Sequence, residues 1–191
     1  DYLLQKGAEV FGADVSANRS LYLDSRVYLM SVNLRIPENV DSVLKNFKPE
    51  RIYHLAGQSF VPQSWSDPWD TLENNIRSQV NILSGCLRLN LAETRVLVVG
   101  SNEEYGHLYL SELPATEDSP LRSNNPYGVS KIAQDFLGQS YFLSHHLPVV
   151  RVRPFNHIGP RQNKNFVAPN FARQIVAIER GAMKPVIHVG N

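Results

Sequence analysis

Three side chains able to hold or move a proton stand in two short segments. Ser101 lies in Gly100-Ser101-Asn102-Glu103-Glu104-Tyr105-Gly106, directly after an apolar run. Tyr127 and Lys131 lie in Asn125-Pro126-Tyr127-Gly128-Val129-Ser130-Lys131. Hydride reduction of a carbonyl needs one donor to protonate the developing alkoxide and a second to fix the oxygen. A tyrosine serves as the acid when a nearby ammonium lowers its pKa, and a lysine four residues on shares its helical face. Pro126 suits a first helical turn and sets Tyr127 near the positive end of that helix. Catalytic Ser101, Tyr127 and Lys131 are therefore expected, with a nicotinamide cofactor.

Tyrosine and lysine at this spacing are a weak signal alone, because a half-buried tyrosine beside a solvated lysine has the same pattern. Position supplies the weight. Ser101 follows a buried strand, at the carboxyl edge where open α/β sheets bind ligands. Glu103 admits two readings: a base that removes a proton beside a ketone, or a carboxylate held near the substrate or in a loop hydrogen bond. Glu104 is read as solvated. His157 reads as a packing or hydrogen-bonding residue. The adjacent His145 and His146 point to different helix faces and do not form a metal site. Trp65 and Trp69 read equally as substrate-loop residues or as packing over the sheet edge.

The elements that must position these groups alternate. Tyr2 to Lys6 reads as the end of a helix, stopped by Gly7. Strands are expected at Ala8 to Ala13, Val27 to Val32, Arg51 to Leu55 (short and buried), Arg95 to Gly100, Leu147 to Val152 and Pro185 to Val189. Helices are expected at Pro37 to Phe47, with Val40, Val43, Leu44 and Phe47 on one face, and at Pro68 to Leu89, with Ile76, Val80, Leu83 and Leu87 inward. Two more are expected at Tyr127 to Leu143 and Ala168 to Arg180. This order predicts an α/β protein with a doubly wound, parallel, Rossmann-like sheet. Asp14, ending its strand, suits the acidic residue that accepts adenosine ribose hydroxyls about 20 residues after a glycine-rich loop. No such loop occurs here, so it and the first strand are expected upstream, and both ends read as truncated. Residues 1–153 then form a partial NAD(P)-binding domain, and 154–191 begin a substrate-binding region.

Bulk properties narrow the function less. A chain of 191 residues with net charge +1 gives no reason to expect a nucleic-acid partner. Arg151, Arg153 and Arg161 form the nearest thing to a basic cluster and suit a solvated or small-anion role. The single cysteine, Cys86, excludes an internal disulfide framework and reads as a small buried apolar residue. No apolar run approaches the roughly 20 residues that span a bilayer, and no leader opens the chain. A cytoplasmic enzyme fits.

Over its whole length the chain resembles the extended short-chain dehydrogenase/reductases that act on nucleotide sugars. The resemblance runs through His54-Leu55-Ala56-Gly57, Asn75, Gly100 to Gly106 and Pro126 to Lys131. Arg153 to Pro160, Phe171 to Ile175 and Pro185 to Asn191 narrow it to the branch that reduces GDP-4-keto-6-deoxymannose. The resemblance implies that Ser101 holds the substrate carbonyl, that Tyr127 delivers the proton, and that Lys131 lowers the tyrosine pKa and binds the nicotinamide ribose. Leu55, Ala56 and Gly57 would line the cofactor. Asn156 and Arg173, with Ser101 and Glu103, would contact a GDP-linked deoxyhexose. Asp14 favours NADH over NADPH, since a carboxylate repels a 2′-phosphate. Asn33 stands where relatives often carry an aspartate at an adenine contact. Reduction to GDP-D-rhamnose by a homodimer is the implied activity. A GDP-mannose 4,6-dehydratase or related epimerase, with Glu103 as base, and a non-catalytic nucleotide-binding protein are the alternatives.

Overall fold

Among the described residues, short apolar runs bounded by turns form five parallel strands in two sheets, connected by helices. The computed structural model describes residues 2–16 and 23–189. After a short α1 (Tyr2–Gln5), β1 (Phe11–Asp14) pairs with β2 (Tyr28–Ser31), Asp14 opposite Ser31. Helix α2 (Pro37–Phe47) leads to β3 (Arg51–His54), which pairs with β4 (Arg95–Val99). Strand β5 (Val149–Val152) lies on the other side of β4, with Val96 opposite Val149. Between β3 and β4 run α3 (Val61–Ser66), α4 (Pro68–Leu72), a π-helical turn (Glu73–Arg77) and α5 (Ser78–Arg88). Between β4 and β5 runs α6 (Pro126–His145). This is the expected parallel α/β architecture.

The core forms where α2 and α5 cover β4. Val40 and Leu44 meet Ile82, Leu83 and Cys86 over Val96, Val98 and Leu147. Cys86 is wholly buried with its thiol free, and burial pushes that thiol up to about 11. Arg35 fastens the start of α2 to the helices after β3, with Asp70 at 2.8 Å and Glu73 as its second partner.

Several expected boundaries shift. Strands β1 and β2 are shorter than their apolar runs, and β3 is buried only at its last residue, His54. Tyr53 is about half exposed and Leu55 lies open just past the strand, because β3 pairs on one edge only. The inward face of the long helix is also displaced. Asn75, Ser78, Gln79, Ile82, Leu83 and Cys86 point in, whereas Ile76, Val80 and Leu87 are only partly covered. The π-helical turn inserts an extra residue and rotates the following face. Helix α3 has no counterpart among the expected elements. Trp65 and Trp69 project into solvent and do not pack over the sheet edge.

The chain separates into two units, 1–154 and 155–191. In the second, α7 spans Val167–Glu179. The strand expected at Pro185 to Val189 does not form. Its backbone bonds instead to the Gln174 side chain, which accepts from the His188 N–H at 2.7 Å and donates to the His188 carbonyl at 2.9 Å. Gly190 and Asn191, the end of the last family-like motif, lie outside the described residues.

Candidate active site

Strand β4 ends at Val99, and the backbone continues extended into Ser101. Ser101 then caps a 3-10 turn, Asn102–Glu104, its hydroxyl accepting from the Glu103 N–H at 3.2 Å. A second cap starts α6. The Asn125 Oδ1 accepts from the Gly128 N–H at 2.8 Å, and its Nδ2 donates to Glu103 Oε2 at 2.7 Å. The two caps bring the carboxyl end of β4 and the amino end of α6 together.

Ser101, Tyr127 and Lys131 are all buried there. Lys131 Nζ lies 5.8 Å from the centre of the Tyr127 ring and donates to the Val99 carbonyl at 3.0 Å. Burial pushes the Tyr127 phenol up; the neighbouring Ser101 hydroxyl pulls the other way, and the charges of Glu103 and Glu104 add to the rise. Burial brings Lys131 down to about 8, partly opposed by the Glu104 charge. A phenol and an amine placed together in this way are suited to a shared role in proton transfer.

Asn75 braces the other side of this group. Its amide nitrogen donates to the Ser130 hydroxyl at 2.9 Å and the Gln58 carbonyl at 3.0 Å, while its oxygen accepts from the Gln58 N–H at 2.8 Å. Ser130 in turn donates to the Tyr127 carbonyl at 2.6 Å. A Cβ at Gly57 would stand 2.9 Å from Asn75 Oδ1, so only glycine lets this loop approach. His54 is buried beside Gln134 and held down to about 4, first by burial and then by the Lys131 charge, which keeps its ring neutral.

The remaining expected residues fall in two places. Asp14 ends β1 with its carboxylate exposed, and Leu55, Ala56 and Gly57 follow the carboxyl end of β3. Asn156 and Arg173 belong to the second unit, where both are exposed. Three expectations are overturned. The Tyr127 phenol stands above its ordinary value and is not lowered by Lys131, because burial leads. Glu104 is fully buried, because Gly100 leaves room for its carboxylate against the backbone. Arg151 and Arg153 do not form a solvated or anion-binding cluster; both pair with the buried Asp135 of α6.

This arrangement can be set beside known proteins. The family model described as GDP-mannose 4,6 dehydratase matches residues 1–191. The chain belongs to that family. Proteins similar to it include a GDP-6-deoxy-D-mannose reductase from Pseudomonas aeruginosa, 35% identical over 75% of this chain and 47% of the relative. A GDP-mannose 4,6-dehydratase from Vibrio cholerae is 28% identical over 100% of this chain and 54% of the relative. The chain thus spans about half the length of these relatives. Among solved structures, RMD from Pseudomonas aeruginosa complexed with NADPH matches with a TM-score of 0.79 at 30% identity, over 89% of this chain and 57% of that one. The UDP-glucose 4-epimerase of Thermus thermophilus in complex with NAD matches with a TM-score of 0.83 at 28% identity, over 94% and 58%. The family and these neighbours are extended short-chain dehydrogenase/reductases.

Residue types alone do not assign the supporting set: Gln58, Asn75, Glu104, Asn125, Ser130 and Asp135. Asn125 carries a legible signal, since an asparagine before proline at a helix start is a capping pattern. Asn75 is marked only by the family resemblance, and the pairing of Asn75 with Ser130 has no sequence signal, because tertiary packing supplies it.

Proposed function

We propose that the full gene product is a nucleotide-sugar oxidoreductase that reduces the C4 ketone of GDP-4-keto-6-deoxy-D-mannose with NAD(P)H, giving GDP-D-rhamnose. The observation that carries this reading is the buried grouping of Ser101, Tyr127 and Lys131 between β4 and α6. When bound, the nicotinamide supplies the hydride. The Ser101 hydroxyl donates to the ketone oxygen, and the Tyr127 phenol gives its proton to that oxygen as charge develops. The Lys131 ammonium favours the phenolate left behind, and proton transfer of this kind contributes roughly 10²–10⁴-fold.

The residues present fit the cofactor. Leu55, Ala56 and Gly57 offer an open ledge of small or apolar groups past β3, next to Asn75. The exposed Asp14 carboxylate is suited to accept ribose hydroxyls and to repel a 2′-phosphate, which supports a preference for NADH. Asn156 and Arg173 are assigned to the GDP-sugar, where a guanidinium fork suits a pyrophosphate. The exposed Val129, Phe136 and Phe142 of α6 support a homodimer through helix pairing. No helix of the described residues is long and apolar enough to cross a membrane. A cytoplasmic location belongs to the same proposal.

Glu103 divides this reading from a second one, a GDP-mannose 4,6-dehydratase. It sits in the same turn as Ser101, where a base would be needed, but its carboxylate is engaged by Asn125 at 2.7 Å. That engagement supports the reductase. The test mixes the full gene product with the keto sugar and NADH or NADPH, and follows nicotinamide absorbance. Oxidation dependent on the keto sugar is expected, faster with NADH. Tyr127→Phe and Ser101→Ala should each lower kcat by about 100-fold or more while nucleotide binding persists. Glu103→Gln should leave kcat within about threefold. A 4-keto product from GDP-mannose, abolished by Glu103→Gln, would establish the dehydratase instead.

A further inference from the structure

Glu104 is a fully buried carboxylate that the proposed reaction does not use. Its Oε1 accepts the Ser101 N–H at 2.8 Å. Its Oε2 lies 3.1 Å from Arg153 Nε without hydrogen-bond alignment, since Arg153 directs its N–H groups to Asp135, the Glu117 carbonyl and the Tyr105 hydroxyl. The carboxylate occupies the space a side chain at Gly100 would need: a Cβ there would fall 2.1 Å from Oε1. A buried charge costs stability unless it is paired and hydrogen-bonded. Here one oxygen is committed to the backbone of Ser101 and the other has an imperfect partner.

We infer that Glu104 is a positioning residue of the catalytic centre, whose carboxylate clamps the backbone of Ser101 and supplies a compensating negative charge to Lys131. The clamp acts on the backbone just before the turn that Ser101 caps, so it fixes where the Ser101 hydroxyl points. Lys131 Nζ holds the Val99 carbonyl at 3.0 Å, two residues before the Ser101 N–H that the carboxylate holds at 2.8 Å, so the two charges brace the same short stretch of backbone. The ionisable groups around Glu104 are Lys131 and Asp135 of α6, Arg153 after β5, and Glu103, Tyr105 and Tyr127; His54 of β3 faces Lys131. Burial pushes Glu104 up to about 7 and brings Lys131 down to about 8, so the two groups titrate in neighbouring ranges. Each carboxylate charge gained then holds the ammonium in place.

The turnover readout of this inference rests on the reductase reading, so the deciding measurement does not use turnover. In the full gene product, free of cofactor, NMR of labelled lysine follows the titration of Lys131 in the wild type, Glu104→Gln and Glu104→Leu. Both variants should lower the Lys131 midpoint by about one pH unit, as loss of a nearby opposite charge does. An unchanged midpoint in both overturns the proposal, whatever the enzyme turns over. If Glu104→Leu does not fold, Glu104→Gln carries the test alone.

Turnover adds the clamp. Glutamine imitates the neutral carboxylic acid and keeps an acceptor for Ser101. Glu104→Gln should therefore match the wild type within about twofold near pH 6 and fall about fivefold behind near pH 8, with KM unchanged. Glu104→Leu loses the acceptor as well, and its kcat should fall by about 100-fold at both pH values, the loss expected from a misplaced donor. A residue with only a structural role would lower the melting temperature of both variants without separating their pH profiles. Coincident profiles for Glu104→Gln and wild type, with Glu104→Leu retaining kcat, would remove the clamp. No keto-sugar turnover in the wild type would defeat the reaction assignment and leave the lysine titration to decide Glu104.

Discussion

At Glu104 burial outweighs every favourable partner, and stability should record it. Its carboxyl rises from 4.5 to about 7, led by burial, while the Ser101 N–H and the charges of Arg153 and Lys131 oppose the rise. Between those values the folded protein keeps a proton that the unfolded chain has released. The stability linked to Glu104 is therefore fully present below about 4.5 and is lost as pH rises through about 7. Lys131 runs the other way. It falls from 10.5 to about 8, so the unfolded chain binds the extra proton and stability grows with pH across that range. His54, held at about 4 against 6.5, acts in the opposite sense, so urea midpoints of the wild type should change little between about pH 5 and 6.5, while those of Glu104→Gln should rise with pH. Equal slopes in the two proteins would place the proton elsewhere. None of this is legible from residue type. A glutamate in a polar turn reads as solvated, and only the strand before it and the guanidinium after β5 bury it.

The helix that carries Tyr127 and Lys131 shows how far element-level reading reaches. Pro126 marks its start to within a residue, because proline is tolerated only in a first turn. Tyr127, Ser130, Lys131, Gln134, Asp135 and Gly138 then form its buried stripe, at the spacing a 3.6-residue period gives. That stripe is mostly polar, which is why apolar periodicity does not find it. The Pro68–Arg88 segment departs from expectation for a different reason. The π-helical turn at Glu73–Arg77 moves the inward face by a residue and aims Asn75 at Ser130. Hydrophobic spacing carries no mark of such a turn. At this scale the informative variant is Asn125→Ala. It removes the cap on Gly128, which costs about 1 kcal/mol, and releases the Glu103 carboxylate. The full gene product should lose a few degrees in melting temperature. Asn125→Asp restores the cap but sets a carboxylate against Glu103, so it should recover less than Asn125→Ser. Equal melting temperatures for all three would show that the cap contributes nothing.

Among the described residues, the strands of a parallel α/β layer form two sheets and not one. Strands β1 and β2 pair with each other there, and β3, β4 and β5 form the second sheet. An interior strand of a parallel sheet is covered on both faces and paired on both edges. Only β4 meets that standard here, with Val96 and Val98 fully buried. By contrast, β3 leaves Tyr53 open, β5 leaves Val150 and Val152 open, and Phe11 and Tyr28 rely on Phe47 for cover. The consequence is thermodynamic. A core confined to α2, α5, β4 and Leu147 must order a chain of this length, and the entropy of ordering is about 1–2 kcal/mol per residue. The 191 residues expressed alone should therefore unfold over a broad temperature range. They should also bind NADH more weakly than about 100 μM, because affinity requires the Asp14 and Gly57 strand ends to be held as one edge. Calorimetry and nicotinamide fluorescence measure both. A sharp two-state transition with micromolar NADH affinity would show that the two sheets already act as one cooperative unit.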